Sequence, residues 1–144
     1  MFRHDFGKER DGPVGKAIEF FNHLSRWSAP TFICVAKLTS RISTVILADP
    51  KPKHRARVYE RFMMISHQLR RMNNYDSLYA VLSGMRETSV YRLAQTHALV
   101  QPAPEVIKDF QSHCKLMDPG ANYMHYQRAL TADVGHGRPA IPLL

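Results

Sequence analysis

From residue 13 onward, stretches in which apolar residues recur every three or four positions alternate with short breaks rich in Pro, Gly, Asn and Asp. Asp11-Gly12-Pro13 is a helix start, because Pro in a first turn lacks only an N–H that would have no partner anyway. Val14, Ala17, Ile18, Phe21 and Leu24, with Phe20 and Trp27 on the flank, give that helix one wide apolar face. Pro30 ends it, and Thr31 to Val35 is β-prone and uncharged. After the stop and restart Asp49-Pro50-Lys51-Pro52, the spacing of Val58, Phe62, Ile65, Leu69 and Met72 predicts the longest helix, His54 to Met72. At ~1.5 Å per residue it is roughly 30 Å long. Its methionines Met63, Met64 and Met72 are expected to fill the core in preference to forming an adaptable binding face.

Asn73 and Asn74 follow, where one residue ends a helix and the next begins another. The Asn amide tolerates the left-handed backbone of a helix C-terminus, and as an N-cap it accepts a hydrogen bond from an orphan N–H. Tyr75, Leu78, Leu82 and Met85 then share a face of a shorter helix, with Gly84 marking its end. Ser89 to Leu93 reads as a helical turn capped by Ser89. Gln101-Pro102-Ala103-Pro104 links to a helix carrying Val106, Ile107, Phe110, Cys114 and Met117, which stops at Asp118-Pro119-Gly120. A last helix, Tyr123 to Leu130, runs into the Gly-rich Asp133 to Arg138.

The ordered set Met72-Asn73-Asn74-Tyr75, Leu78, Ala80-Val81-Leu82-Ser83-Gly84-Met85, Val90-Tyr91-Arg92-Leu93 and Thr96 resembles the centre of the catalytic domain of Ras-family guanine nucleotide exchange factors, the RasGEF domain. Flanking matches agree with it: Ile18 to Trp27, ending Leu-Ser-Arg-Trp; Arg55-Ala56-Arg57-Val58 with Phe62 and Ile65; Leu116-Met117-Asp118-Pro119 with Asn122-Tyr123 and Tyr126-Gln127; and Pro139-Ala140-Ile141-Pro142-Leu143-Leu144. The resemblance implies an all-α fold, an antiparallel helical array forming residues 13–144 of a larger RasGEF catalytic domain. Residues 28–40 depart from the family pattern as an insertion, either a true loop or non-coding sequence retained in translation. The family's opening helices, and the helical hairpin after its Pro-x-Ile-Pro segment, have no counterpart in the chain as given, so exchange competence is expected only in a chain that is completed by that hairpin.

In the family an apolar pocket grips the GTPase segment that senses the γ-phosphate, while the hairpin opens the nucleotide site. The positions matching that pocket are Ile18, Ser66, Asn73, Tyr123 and Leu143, and Ser66 stands where the family more often has an apolar or small residue. Each is equally able to serve core packing, and Asn73 to terminate a helix. The partner implied is a Ras-family small GTPase, and the function guanine nucleotide exchange in signal transduction.

Composition adds a charge question. The net charge is +8, and between residues 51 and 71 Lys51, Lys53, Arg55, Arg57, Arg61, Arg70 and Arg71 face only Glu60. No zinc-finger, RNA-recognition or recognition-helix pattern accompanies them, so no nucleic-acid partner is expected. A peripheral contact with an anionic membrane is expected, because GTPases of the implied class sit on membranes; the cytoplasm, with recruitment to the inner face of the plasma membrane, is the expected location. A rival from another class, a basic helical module that binds an anionic membrane or nucleic acid, fits the charge alone. Two cysteines, Cys34 and Cys114, and a charged start point to a reducing setting. No run approaches the ~20 apolar residues of a membrane span. None of the eight histidines pairs with another at the three- or four-residue spacing of a helical metal site, and no phosphate loop or thiol-hydrolase motif is present. No metal, no cofactor and no covalent enzyme chemistry are therefore expected.

Overall fold

The computed structural model describes residues 35–143, and the first predicted helix, with Ile18 and Cys34, lies outside them. Within that range the chain is helical and carries no strand. Helix α1 covers 35–47, α2 Pro52–Arg71, α3 Tyr75–Met85, α4 Thr88–Tyr91, α5 Ala94–Ala98, α6 Pro104–Leu116 and α7 Gly120–Gly135. Residues 35–40, part of the segment that departs from the family pattern, are helical within α1. Leu38 packs there against the core, and the β-prone stretch Thr31 to Val35 lies, except for Val35, outside the described residues.

Helix α2 starts at Pro52, and the turn before it is closed by Asp49, whose Oδ1 accepts the Lys51 N–H at 2.8 Å. Arg55 ties this turn to α5, donating from Nη1 to Asp49 O and from Nε to Thr96 Oγ1. At the other end Asn73 adopts φ 53° and Asn74 caps α3 by accepting the Ser77 N–H at 3.0 Å, the division of labour that the pair predicts.

The expected face of α3 is fully formed. Tyr75, Leu78, Leu82 and Met85 are all buried, and so are Ala80 and Val81 on other sides of the helix. Helix α3 is therefore a wall shared by two cores: Ile42, Ile46, Tyr59, Met63, Val81, Met85 and Val90 pack on one side of it, and Tyr75, Leu78, Leu82, Met117 and Tyr126 on the other.

Four expectations are corrected. The buried face of α2 is centred on Ala56, Tyr59, Met63 and Ser66; Val58, Phe62 and Leu69 form its flank, and Ile65 is 43% exposed. Spacing finds an apolar row, but packing between α3 and α6 decides which neighbouring row is central. Of Met63, Met64 and Met72, only Met63 is core, while Met64 and Met72 are 52% and 61% exposed. Helix α4 is preceded by Glu87 at its N-cap, without a side-chain cap bond, so Ser89 lies inside it. Gly84 does not end α3 but lies in its last turn, where a Cβ would meet Thr39 O at 2.7 Å and Ile42 Cβ at 2.8 Å. The missing side chain lets α1 and α3 touch backbone to backbone.

Helix α7 also runs further than the apolar pattern predicts, at both ends. Its opening turn is left-handed: Ala121, Asn122 and Tyr123 have φ of 50°, 54° and 57°. Such a conformation costs roughly 1–2 kcal/mol for each residue with a Cβ, least for Asn.

Two glycine substitutions test this packing. Gly84→Ala should lower unfolding free energy by about 1–3 kcal/mol, the usual range for forcing a methyl into a closed contact. Gly135→Ala, at a helical site with nothing within 4 Å of the added carbon, should raise it by about 0.5–1 kcal/mol. Urea titrations that give both changes the same sign would refute the α1–α3 contact.

Candidate functional site

The C-terminal residues return to the Asn73-Asn74 corner and are sewn to it. Tyr75 N donates to Ile141 O and Ile141 N to Asn73 O, both at 2.9 Å, forming one isolated parallel bridge. The left-handed turn at Asn73 aims its side chain along the same seam: Oδ1 accepts from Arg70 Nη1 at 2.8 Å, and Nδ2 donates to Pro139 O at 3.3 Å.

Beneath the seam lies the carboxylate of Asp133, 3% exposed. Tyr75 Oη donates to its Oδ2 at 2.5 Å, Arg70 Nη1 stands 3.5 Å from the same oxygen, and Arg138 Nε is 3.7 Å from Oδ1. A buried carboxylate is tolerable only when it is hydrogen-bonded and its charge is met; here the Tyr75 hydroxyl supplies the bond and the two guanidinium groups the charge. Arg70 also lies over the Tyr75 ring, 5.2 Å from its centre. Burial first, and the Asp133 carboxylate second, push the Tyr75 phenol up to about 12, so it stays a donor at any physiological pH.

Tyr126 carries the network outward. Its ring meets Tyr75 edge to face at 5.1 Å, and its oxygen accepts the Leu143 N–H at 2.8 Å. Leu143 and Tyr123 both pack, half-buried, on the core of Tyr75, Leu78, Leu82, Met117 and Tyr126. The Tyr123 hydroxyl donates to that of Tyr79 at 3.5 Å, a shared bond that raises the Tyr123 phenol above its ordinary value.

Of the five positions proposed from the resemblance, Asn73, Tyr123 and Leu143 thus adjoin one packed unit, each with part of its surface open. Ile18 lies outside the described residues. Ser66 is 0% exposed and belongs to the α2–α6 interface, so as placed it offers no atom to a docked protein. Its Oγ donates to Met63 O at 2.7 Å and lies 3.3 Å from His113 Nδ1. Because the serine hydrogen is spent on Met63, the bond to His113 requires an Nδ1–H, which fixes the neutral tautomer. Burial lowers the His113 pKa below the ordinary 6.5, and His67 and Arg70 add to that while Asp109 opposes it.

Sequence reasoning missed Arg70, Tyr126 and above all Asp133, which it placed in a Gly-rich link. Nothing local marks Asp133, since Tyr75 and Arg70 become its neighbours only in the folded chain. The arrangement holds a surface in shape, with polar and aromatic edges presented around a rigid seam. It is suited to gripping another molecule.

Asp133→Asn should cost about 1–3 kcal/mol, since it leaves two part-exposed guanidinium groups without their anion. Hydrogen exchange should quicken selectively at the Tyr75 and Ile141 amides. Uniform loss of protection across all helices would mean that Asp133 serves general stability and not the seam. A second measurement concerns His113. A histidine held neutral binds fewer protons folded than unfolded, so its contribution is complete above pH 6.5 and is lost as pH falls toward the lower folded value. The urea midpoint should decline as the pH falls below about 6.5. In His113→Asn, which keeps a donor but cannot ionise, that decline should flatten; an unaltered decline would assign it to another group.

Comparison with known proteins gives a family match over nearly the whole chain. The family model of the RasGEF domain matches residues 2–144. Ras guanine nucleotide exchange factor E of Dictyostelium discoideum is 30% identical over 125 residues, covering 86% of this chain and 11% of that protein. Ras guanyl-releasing protein 3 of Homo sapiens is 26% identical over 121 residues, 84% of this chain and 15% of that protein. Guanine nucleotide exchange factor SDC25 of Saccharomyces cerevisiae, strain RM11-1a, is 34% identical over 106 residues, 74% of this chain and 8% of that protein. The chain therefore spans between 8 and 15% of the length of these relatives.

Proposed function

This chain belongs to the RasGEF domain family, and from that premise we propose that it acts in guanine nucleotide exchange on a Ras-type small GTPase, supplying the surface that grips the GTPase. The observation that carries the reading is the sewn corner, which joins Asn73, at the end of α2, to the segment bearing Leu143. Tyr123 stands on the same core. In this role Asn73 presents an oriented amide, held by Arg70 on one side and Pro139 on the other, and Tyr123 and Leu143 present apolar edges. Ile18, which the resemblance matches to the same pocket, lies outside the described residues.

Exchange requires no bond to be made or broken. A factor that binds the nucleotide-free GTPase better than the loaded one lowers nucleotide affinity by the same ratio, because the two bindings are linked. The protein is accordingly proposed as a regulator of a GTPase, without a cofactor, and release is proposed to depend on continuation into the family's helical hairpin. The location proposed is the cytoplasm, with recruitment to the inner face of the plasma membrane; the excess of positive charge supports a peripheral contact with anionic lipid.

The test pairs binding with release. A chimera continuing the chain into the hairpin of a RasGEF domain should bind nucleotide-free Ras-type GTPase and accelerate loss of a fluorescent nucleotide. Tyr123→Ala in it should weaken that binding by about 1–3 kcal/mol, the range of a hot-spot aromatic, with an unchanged circular dichroism spectrum. The 144 residues alone should accelerate release little. If Tyr123→Ala abolishes the helical signal, packing and not grip is its role; if no Ras-type GTPase binds the chimera, the proposed function fails.

A further inference from the structure

We infer that the outer face of α2 is the surface by which this protein lies on an anionic lipid bilayer. The inference deepens the membrane contact proposed above and rests on it, but it is independent of exchange activity.

The face is defined by burial. With Ala56, Tyr59, Met63 and Ser66 turned inward, the opposite side carries Lys53, Arg57 and Arg61 at four-residue steps, then Met64, Gln68 and Arg71 in the same row. All six are exposed, and none of the four cations forms an ion pair among the described residues. From Lys53 to Arg71 the row runs about 27 Å at ~1.5 Å per residue, long enough to meet several lipid headgroups at once. The row has no acid. Glu60 lies to one side with an oxygen accepting the Gln101 N–H, and Asp109 of α6 is held by His67. Two acids stand at the α6 edge: Glu105 is exposed, and the Asp109 side chain, paired with His67, is 49% exposed.

Charge by itself would suit any polyanion. The exposed apolar side chains in and beside the row decide between them. Met64 and Ile65, with Met72 beyond Arg71, are among the most exposed large apolar groups of α2, and they sit between the cations, not apart from them. A phosphate backbone gives such side chains no place to leave water. At a bilayer surface they enter the headgroup and acyl boundary while the flanking Lys and Arg reach phosphate and carboxylate groups, the division found in helices that lie in a membrane interface. Unbranched Met adapts to that irregular environment. The exposure of Met64, Ile65 and Met72, unexplained by the core, is accounted for in this way.

The experiment is sedimentation of the full chain with phosphatidylcholine vesicles, with and without phosphatidylserine, at several salt concentrations. Binding should require phosphatidylserine and weaken with salt. Arg57→Glu with Arg61→Glu should lower the partition by roughly tenfold or more, since each cation near an anionic surface contributes on that scale. Arg57→Lys with Arg61→Lys should retain it. Met64→Ser with Ile65→Ser should lower it several-fold while leaving the salt dependence unchanged. The control, Lys115→Glu with Arg128→Glu, reverses two exposed cations away from the row and should change little; circular dichroism establishes that each variant is folded. Equal loss in row and control variants would overturn the assignment to α2 yet leave a membrane contact standing. No binding to any vesicle would overturn the membrane reading itself. Binding to RNA or DNA that depends on the row, without binding to vesicles, would replace lipid by a polynucleotide.

Discussion

A single buried carboxylate decides how the end of the chain meets its middle. Asp133, on α7, is met by the Tyr75 hydroxyl from the first turn of α3, by Arg70 from the last turn of α2 and by Arg138 from the segment that follows. Any one of these removed would leave an incompletely paired charge out of water, so the four pieces of chain are held to one arrangement. The bonds of Asn73 and Tyr75 to residues 139–141 follow from it, because they need the returning segment to arrive in register with the α2–α3 corner.

The two cores depend on the same economy of position. Helix α3 is buried on nearly every side, which requires small residues where neighbours approach closely: Gly84 admits α1, and Ala80 offers its carbonyl to the Thr39 hydroxyl. Helix α2 is instead strongly two-sided. Its inner face closes both cores with Tyr59, Met63 and Leu69, while its outer face is left to cations and a few apolar groups. One helix thus supports the corner proposed to grip a GTPase and carries the surface inferred to meet a membrane, on different sides of its axis. Both activities are binding equilibria, so stiffness of the scaffold contributes to them directly: a surface already in shape loses less entropy on docking.

The strained turn at Ala121 to Tyr123 belongs to this scheme. Three consecutive left-handed residues are unfavourable on their own, and they persist because both ends are fixed, by Asp118 accepting the Gly120 N–H before the turn and by Tyr126 set in the core after it. The result brings Tyr123 alongside Tyr79.

What the sequence determined by itself was whatever depends on neighbours along the chain. The presence of α2 and α3, the buried face of α3 and the separate roles of Asn73 and Asn74 were legible because periodicity and capping are local, and the ordered motifs around them carried the family and with it the all-α class. The proposed site was legible only as a set of matching positions. Tertiary structure decided what depends on approach from elsewhere: which row of α2 is central, that Gly84 is a contact and not a stop, that Ser66 faces His113 inside the protein, and that Met64 and Met72 remain outside it. It also decided the role of Asp133, since 58 residues separate it from Tyr75. A hydrogen bond across that distance leaves no periodic trace in a single sequence, because its energy is gained only when the helices that carry both partners have already packed.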